Sequence, residues 1–489
     1  MKLTIPELSL VVLIGPSGCG KSTFGARHFL ATEIISSDFC RGLVADDQND
    51  QTVTNEAFEV LHFIARKRLA RRRMVVVDAT NVQSESRKSL IAIARDYHAV
   101  PVAIVFDLPE ELCRERNRGR PDRAFGPHVV RQQHQQMRRS LRNLEREGFR
   151  YVYIVRSPEE VEACVIDRQT LWTDLRTEHG PFDIIGDVHG CADELTELVR
   201  QLGYRLDKDS RREEAAPYTI QHPVGRKLVF LGDLVDRGPN TPEVLRLVMS
   251  AVESGSALCV PGNHDVKLSR KLKGRNVQIT HGLAESLEQL DRESPEFRQQ
   301  IADFIEGLRS HYVLDEGRLV VAHAGMKEEL QGRASRVVRD FALYGETTGE
   351  TDEFGLPVRY NWTQAYRGRA MVVYGHTPVV DPEWVNDTIN VDTGCVFGGR
   401  LTALRYPEKE LVSIPARRTY YQPAKPFLPE GSAAPSAVAE RPVEVLDIQD
   451  VIGKRIISTR LHRSVTVREE NAAAAVEVMS RFAVNQLSS

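Results

Sequence analysis

An apolar run, Leu10 to Ile14, leads directly into Gly15-Pro16-Ser17-Gly18-Cys19-Gly20-Lys21-Ser22, and this junction limits the possible folds more than any other stretch of the chain. The string fits G-x-x-x-x-G-K-[ST]. That pattern works only where a strand ends in a glycine-rich turn and a helix begins, so that backbone N–H groups wrap a phosphate at the positive end of the helix. A start of this kind commits the surrounding chain to a parallel sheet covered by helices on both faces. The sequence predicts a helix from Lys21 to about Leu30. Over residues 8 to 168 it predicts strands at Leu8–Ile14, Glu33–Ser36, Met74–Asp78, Val100–Asp107 and Tyr151–Val155.

In such a loop Gly15, Ser17, Gly18, Gly20, Lys21 and Ser22 cradle ATP, Lys21 reaches the β and γ phosphates, and Ser22 holds Mg²⁺. Asp38 follows the second strand, where strand ends open onto the nucleotide crevice. Its carboxylate suits either a base for an attacking hydroxyl or a helix N-cap, and Arg41 suits a phosphate of the acceptor. Asp78 resembles a Walker-B aspartate that serves the metal or the acceptor. From Arg114 to Arg150 there are eleven arginines against four carboxylates, which reads as an RNA- or phosphate-binding face or as a solvated helix. Arg116, Arg120 and Arg123 fall on one helical face. As a lid they would neutralise charge on the transferred phosphoryl group, with Arg116 and Arg120 also touching ATP.

A second constellation begins at a new strand, Phe182–Ile185. It comprises Asp187-Val188-His189-Gly190, Gly232-Asp233-Leu234-Val235-Asp236-Arg237-Gly238, Gly262-Asn263-His264-Asp265, His323 and Gly375-His376. Most of these groups follow short apolar strands, at Lys227–Leu231, Ala257–Val260, Leu319–Ala322, Met371–Tyr374 and Thr388–Val391. Oxygen and nitrogen donors without thiolates suit a pair of divalent ions such as Mn²⁺, Ni²⁺, Fe²⁺ or Mg²⁺ rather than structural zinc. Asp392, in Val391-Asp392-Thr393-Gly394, is a further metal or orienting candidate. His179, His281 and His311 lie outside the motifs and carry no assigned chemistry.

The second constellation resembles the calcineurin-like metallophosphoesterases. The resemblance implies that Asp187 and His189 bind one metal and that Asn263, His323 and His376 bind the other, with Asp233 bridging. Arg237 and His264 would hold the substrate phosphate, Asp236 would orient one of these side chains, and Asp392 would contact a metal through water or orient His189. With the P-loop in front, nearly the whole chain is similar to the bacterial polynucleotide kinase-phosphatases of RNA repair. This implies a P-loop 5′-kinase using ATP and Mg²⁺, and an α/β-sandwich phosphatase using two ions, Mn²⁺ or Ni²⁺, on 2′,3′-cyclic, 2′- or 3′-phosphates. The partners implied are RNA ends, with DNA left open, a ligase module and an RNA 3′-end methyltransferase.

At 489 residues the chain is too long for one core, and the patterns divide it into 1–170, 180–420, a Pro/Ala-rich linker 421–445 and a tail 446–489. The tail, with an alternating segment Ser464–Arg468 and an alanine-rich helix from Glu469 to Phe482, resembles the start of a ligase-like module. It lacks the Lys-x-x-x-Gly motif, so no sealing activity is expected. Seven scattered cysteines argue against a disulfide framework, and no signal peptide or membrane-length apolar run is visible, so cytoplasm is the expected compartment. The main rival reading is a small-molecule kinase fused to a dinucleoside-polyphosphate hydrolase or protein phosphatase. A nonenzymatic scaffold is the weakest, because Lys21, Asp187 and Asp233 are intact.

Overall fold

The computed structural model describes residues 1–119, 126–209, 215–352, 357–423, 427, 455–458 and 463–466. It divides into two compact units, Met1–Ala434 and Pro435–Ser489. In the second unit the described part is an antiparallel pair, Arg455–Ser458 with Arg463–Thr466. The rest of the expected tail, including the helix from Glu469 to Phe482, and most of the expected linker lie outside the described residues.

The first domain is built on five parallel strands in the order Ile34–Ser36, Val75–Asp78, Ser9–Ile14, Val100–Phe106 and Tyr151–Val155. Ser9–Ile14 and Val75–Asp78 are buried at every position, as expected of β-branched runs covered by helices on both faces. Register places Asp78 opposite both Leu13 and Ser36, so the P-loop, Asp78 and the turn carrying Asp38 share one end of the sheet. A parallel pair absent from the sequence reading, Lys2–Pro6 with Val165–Gln169, stands beside this sheet.

The second domain stacks two sheets. One has the order Ala257–Cys259, Lys227–Phe230, Phe182–Ile185, Arg400–Tyr406, Glu410–Pro415. The other has the order Trp384–Val385, Thr388–Asn390, Met371–Tyr374, Leu319–Ala322, His311–Leu314, Asp174–Leu175. Phe182, Ile184, Val229, Leu319, Val321, Val373, Ile389 and Leu404 pack in one core drawn from both sheets. Residues 168–181, where the sequence predicts no element, supply the edge strand Asp174–Leu175 against His311–Leu314. Tyr421, at the expected start of the linker, belongs to this domain, since its backbone N–H donates to Val396 O as that of Tyr420 does.

The two domains share the unit Met1–Ala434, and polar contacts join them. Arg333, 5% exposed, donates to the carbonyls of Tyr97, Leu69 and Ala70. These carbonyls end the helices Ser84–Asp96 and Thr54–Ala70, where unpaired C=O groups carry partial negative charge. Beside it, Ser335 caps the helix Arg336–Tyr344 through Val338 N and meets His98 Nδ1 at 2.9 Å. Arg72 donates to Glu328 O at 3.1 Å. Arg333→Ala removes the side-chain donor from these helix-end carbonyls, of which Leu69 O keeps the Arg72 N–H at 3.0 Å, and should cost about 1–2 kcal/mol. Calorimetry should then resolve two unfolding transitions where the parent shows one, and an unchanged single transition would contradict the clamp.

Candidate active site and metal centre

The P-loop has the backbone its glycines require. Gly18 sits at φ +82, and a Cβ there would stand 2.2 Å from Cys113 O. Gly20, at φ +96, caps the helix Lys21–His28 in the left-handed region. Lys21 is buried, and its Nζ donates to Gly15 O (2.8 Å) and Pro16 O (3.0 Å), while Ser22 is exposed on the first helical turn. Two neighbours brace the loop. Gly15 N donates to Thr80 O at 3.0 Å, and Ser17 N donates to Gln133 Oε1 at 2.8 Å.

Ser36 is the N-cap of the helix Ser37–Ala45, accepting from Asp38 N and Phe39 N, so the Asp38 carboxylate is not the cap. It pairs instead with Arg41, which is 4% exposed and donates through Nε to Gln48 O at 3.0 Å. Arg116 approaches the loop, with Nη1 3.7 Å from where a Cβ on Gly20 would stand. Its helix, Glu110–Arg118, ends at Gly119. Arg120 and Arg123, expected to share a face with it, lie outside the described residues.

The second constellation converges at the edge where the two stacked sheets meet. Asp187, His189, Asp233 and Asn263 follow strands of one sheet, whereas His323, His376 and Asp392 follow strands of the other. His189 (φ 43), Asp233 (φ 44), Asp236 (φ 74), Arg237 (φ 68) and His376 (φ 76) all occupy the left-handed region, which bulky residues hold only when the surroundings over-determine it. The motif glycines make room: a Cβ on Gly262 would lie 2.0 Å from Asp233 Oδ1, and one on Gly375 would lie 2.2 Å from Asp187 Oδ1.

Two donor groups result, His189–Asp233–His264 and Asp233–His323–His376, each with ligand atoms within 4.8 Å and with Asp233 common to both. His323 Nε2 stands 3.0 Å from Asn263 Oδ1 and 2.9 Å from His376 Nδ1. His189 is brought to Asp233 and His264, while the Asp187 oxygens accept the His376 N–H at 3.2 and 3.1 Å. Asp392 meets Asp187 and accepts from Gly394 N at 3.0 Å. Asp236 Oδ2 lies 2.6 Å from His264 Nδ1. Arg237 donates through Nη1 to His189 Nε2 (2.8 Å) and through Nη2 to His264 Nε2 (3.1 Å), and its Nε is buried without a partner among the described residues.

Electrostatics test whether this donor set fits cations. Burial raises the carboxyls of Asp187, Asp233 and Asp392, and repulsion from Asp233 adds to the rise at Asp187 and Asp392. Burial pushes the imidazoles of His189, His264 and His376 well down and holds His323 at about 3, so all four are neutral ligands with a lone pair. Backbone carbonyls fix two tautomers: His189 Nδ1 meets Val235 O at 2.7 Å and His323 Nδ1 meets Leu231 O at 2.9 Å, leaving each Nε2 toward the cluster. His376 Nε2 is buried with no partner among the described residues. Crowded carboxylates, neutral imidazoles and an orphaned nitrogen fit divalent cations.

Sequence reading left some participants unassigned. Asp265 is fully buried; its two oxygens accept from Gly262 N (2.8 Å) and Leu234 N (2.9 Å), tying the Asn263 turn to the Asp233 turn. Its position three residues after Gly262, the spacing of a capping carboxylate, is the signal that could have found it. Phe397 and Tyr421 flank the Arg237 guanidinium at 5.2 and 5.8 Å, a contact with no local signature. Cys191, Glu194 and Cys395 form a third buried group, in which Glu194 Oε1 accepts from Arg417 N and Tyr420 Oη. His311 is fully buried and accepts from Gly332 N, and His179 contacts Asp315.

Residues 10–144 match the AAA domain family and residues 180–380 match the calcineurin-like phosphoesterase family. The bis(5′-nucleosyl)-tetraphosphatase PrpE of Anoxybacillus flavithermus is 48% identical over 243 residues, 49% of this chain and 96% of that protein. In its second domain the chain belongs to the calcineurin-like phosphoesterases. PrpE proteins of Geobacillus thermodenitrificans (49% identical, 48% of this chain, 94% of that protein) and Bacillus subtilis (48%, 49% and 96%) are similar to the same extent. The chain is therefore a P-loop, kinase-like domain joined to a metallophosphoesterase. Among the described residues, no helix is long and apolar enough to cross a membrane.

Asp265→Ala should unsatisfy two buried N–H groups at a cost of about 3 kcal/mol. It should lower phosphoesterase kcat by about 10- to 100-fold while leaving P-loop chemistry intact. Urea unfolding and separate assays of the two sites check both effects, and equal loss at both sites would contradict a local role.

Proposed function

We propose that the chain heals both ends of a broken RNA strand, its first domain phosphorylating 5′-hydroxyl ends with ATP and its second removing 2′,3′-cyclic, 2′- or 3′-phosphates. The observation that carries this reading is the joining, in one compact unit, of a P-loop with a carboxylate–guanidinium pair at the next strand end and a separate donor cluster suited to hydrolysis. Ribonucleases that use the 2′-hydroxyl as nucleophile leave a 5′-hydroxyl and a cyclic phosphate, and each domain suits one of them. A ligase module and an RNA 3′-end methyltransferase are the partners that would act on the healed ends.

In the first site Lys21 would exchange the carbonyls of Gly15 and Pro16 for the β and γ phosphates, and Ser22 would hold Mg²⁺. Asp38 takes the proton of the attacking 5′-hydroxyl as the new O–P bond forms and ADP leaves. Arg41, already paired with Asp38, holds an acceptor phosphate, and Arg116 neutralises the phosphoryl in transit. At the second site, Asp187 and His189 would hold one ion and Asn263, His323 and His376 the other, with Asp233, common to both donor groups, available to each. Two divalent ions, Mn²⁺ or Ni²⁺, supply there an activated water and positive charge for the phosphate. Arg237 turns from His189 and His264 to the phosphate oxygens, filling its unpartnered Nε. His264, with Nδ1 fixed by Asp236, then meets the leaving oxygen through Nε2.

A second reading rests on the relatives. Their shared name, bis(5′-nucleosyl)-tetraphosphatase, supports a dinucleoside-polyphosphate substrate at the second site more directly than it supports an RNA end. The same donors and Arg237 would serve that reaction, and the P-loop domain would then act on a small acceptor. Relative kcat/KM for a 2′,3′-cyclic phosphate oligonucleotide and for diadenosine tetraphosphate separates the two. The RNA reading expects the oligonucleotide to win, and it expects Asp38→Ala to lower 5′ phosphorylation by about 10²- to 10⁴-fold with cyclic-phosphate removal preserved. Preference for the tetraphosphate would overturn it in favour of the second reading.

A further inference from the structure

A groove of about 550 Å³ opens on the first domain, away from the nucleotide loop, between Val82–Ser84 on one wall and Gln136, Arg139, Asn143 and Arg146 on the other. We propose that it holds the sugar-phosphate backbone of a single-stranded polynucleotide acceptor, downstream of the nucleotide that receives the phosphoryl group. The proposal rests on the polynucleotide reading of the first site and extends it to residues that reading leaves without a task.

Charge is the first argument. Glu147 is the one carboxylate lining the groove, and Arg87, itself 0% exposed, already donates to both of its oxygens at 2.8 and 2.6 Å. Arg139 and Arg146 are exposed and make no ion pair among the described residues. The groove therefore presents uncompensated positive charge lined with amides and a hydroxyl. That combination suits phosphate oxygens and ribose hydroxyls without reading base edges.

Continuity with the P-loop is the second. Both walls grow from residues that brace the loop. The helix Pro127–Ser140 carries Gln133, whose side chain accepts from Ser17 N, and Gln136 and Arg139 follow at +3 and +6. At 1.5 Å per residue these lie about 4.5 and 9 Å farther along the axis. On the opposite wall Thr80 O accepts from Gly15 N, and Val82 stands two residues on. A strand whose end lies at the P-loop can thus enter the groove within one or two nucleotides.

Rigidity is the third. Arg87 also donates to Asn81 O at 2.8 Å, and Asn81 Nδ2 donates to Leu13 O at 2.9 Å, so the groove floor is bolted to the strand that leads into the P-loop. Gln83 and Gln136 meet across the groove at 3.4 Å. A strand seated there is held in register with the transferred phosphate, which a small acceptor ending near Arg41 would not require.

The test measures 5′ phosphorylation by the full chain, with ATP, of a nucleoside 3′-phosphate and of a twelve-nucleotide 5′-hydroxyl oligonucleotide across a salt series. For the parent, KM should fall about 10-fold or more from the short to the long acceptor, as expected for added phosphate contacts. In Arg139→Ala/Arg146→Ala that gain should shrink below about 3-fold, and the slope of log KM against log salt should drop by about 1.4, near 0.7 per lost contact. Arg66→Ala, which removes an exposed arginine from the helix Thr54–Ala70, should keep the parent's gain. A double variant that retains the full length gain, while the parent shows it, overturns the groove and leaves the polynucleotide kinase standing. A parent that phosphorylates the nucleoside phosphate but gains nothing from chain length overturns the polynucleotide reading, and the groove with it.

Discussion

Burial of several carboxylates at one sheet edge is the constraint around which the second domain is arranged. Asp187, Asp233, Asp236, Asp265 and Asp392 are each 4% exposed or less. Like charges removed from water are costly unless cations or dedicated donors compensate them. Asp265 is compensated by two backbone N–H groups and Asp236 by His264. Asp187, Asp233 and Asp392 share too few donors to be stable as a trio of anions, and the neutral imidazoles around them cannot supply charge. The left-handed backbone at His189, Asp233 and His376 and the tight glycines Gly262 and Gly375 are what it takes to hold those groups together.

The first domain solves a different problem, the reception of a polyanion that arrives and leaves. Its cation, Lys21, is satisfied in the meantime by loop carbonyls, and its carboxylate, Asp38, by Arg41. Neither site borrows a side chain from the other. What joins them is the Arg333 contact with the ends of two helices, which fixes one domain on the other without bringing their chemistry together. Separate sites on one body fit reactions at two ends of a strand, where nothing requires one phosphate to visit both.

Features that depend on consecutive residues were legible in the sequence. The P-loop junction, the parallel strands from Ser9 to Val155 and the order of metal-binding motifs are all local patterns, because glycine turns and β-branched runs act over a few residues. Contacts between distant residues left no such trace. Arg333 reaches Tyr97 across 236 positions, and Arg87 finds Glu147 across 60. Edge strands were lost as well: Glu410–Pro415 exposes half of its residues, and Asp174–Leu175 is too short to show a period. Side-chain directions also leave no local trace, such as the approach of His264 to His189 and Asp233 or the His376 N–H that Asp187 accepts.

Most directly, the account predicts the fate of a single molecule. An oligonucleotide bearing a 5′-hydroxyl and a 2′,3′-cyclic phosphate, incubated with the full chain, ATP and Mn²⁺ and then weighed by mass spectrometry, should gain a phosphate at the 5′ end and lose the one at the 3′ end. An oligonucleotide recovered unchanged at both ends, beside complete cleavage of diadenosine tetraphosphate under the same conditions, would contradict it.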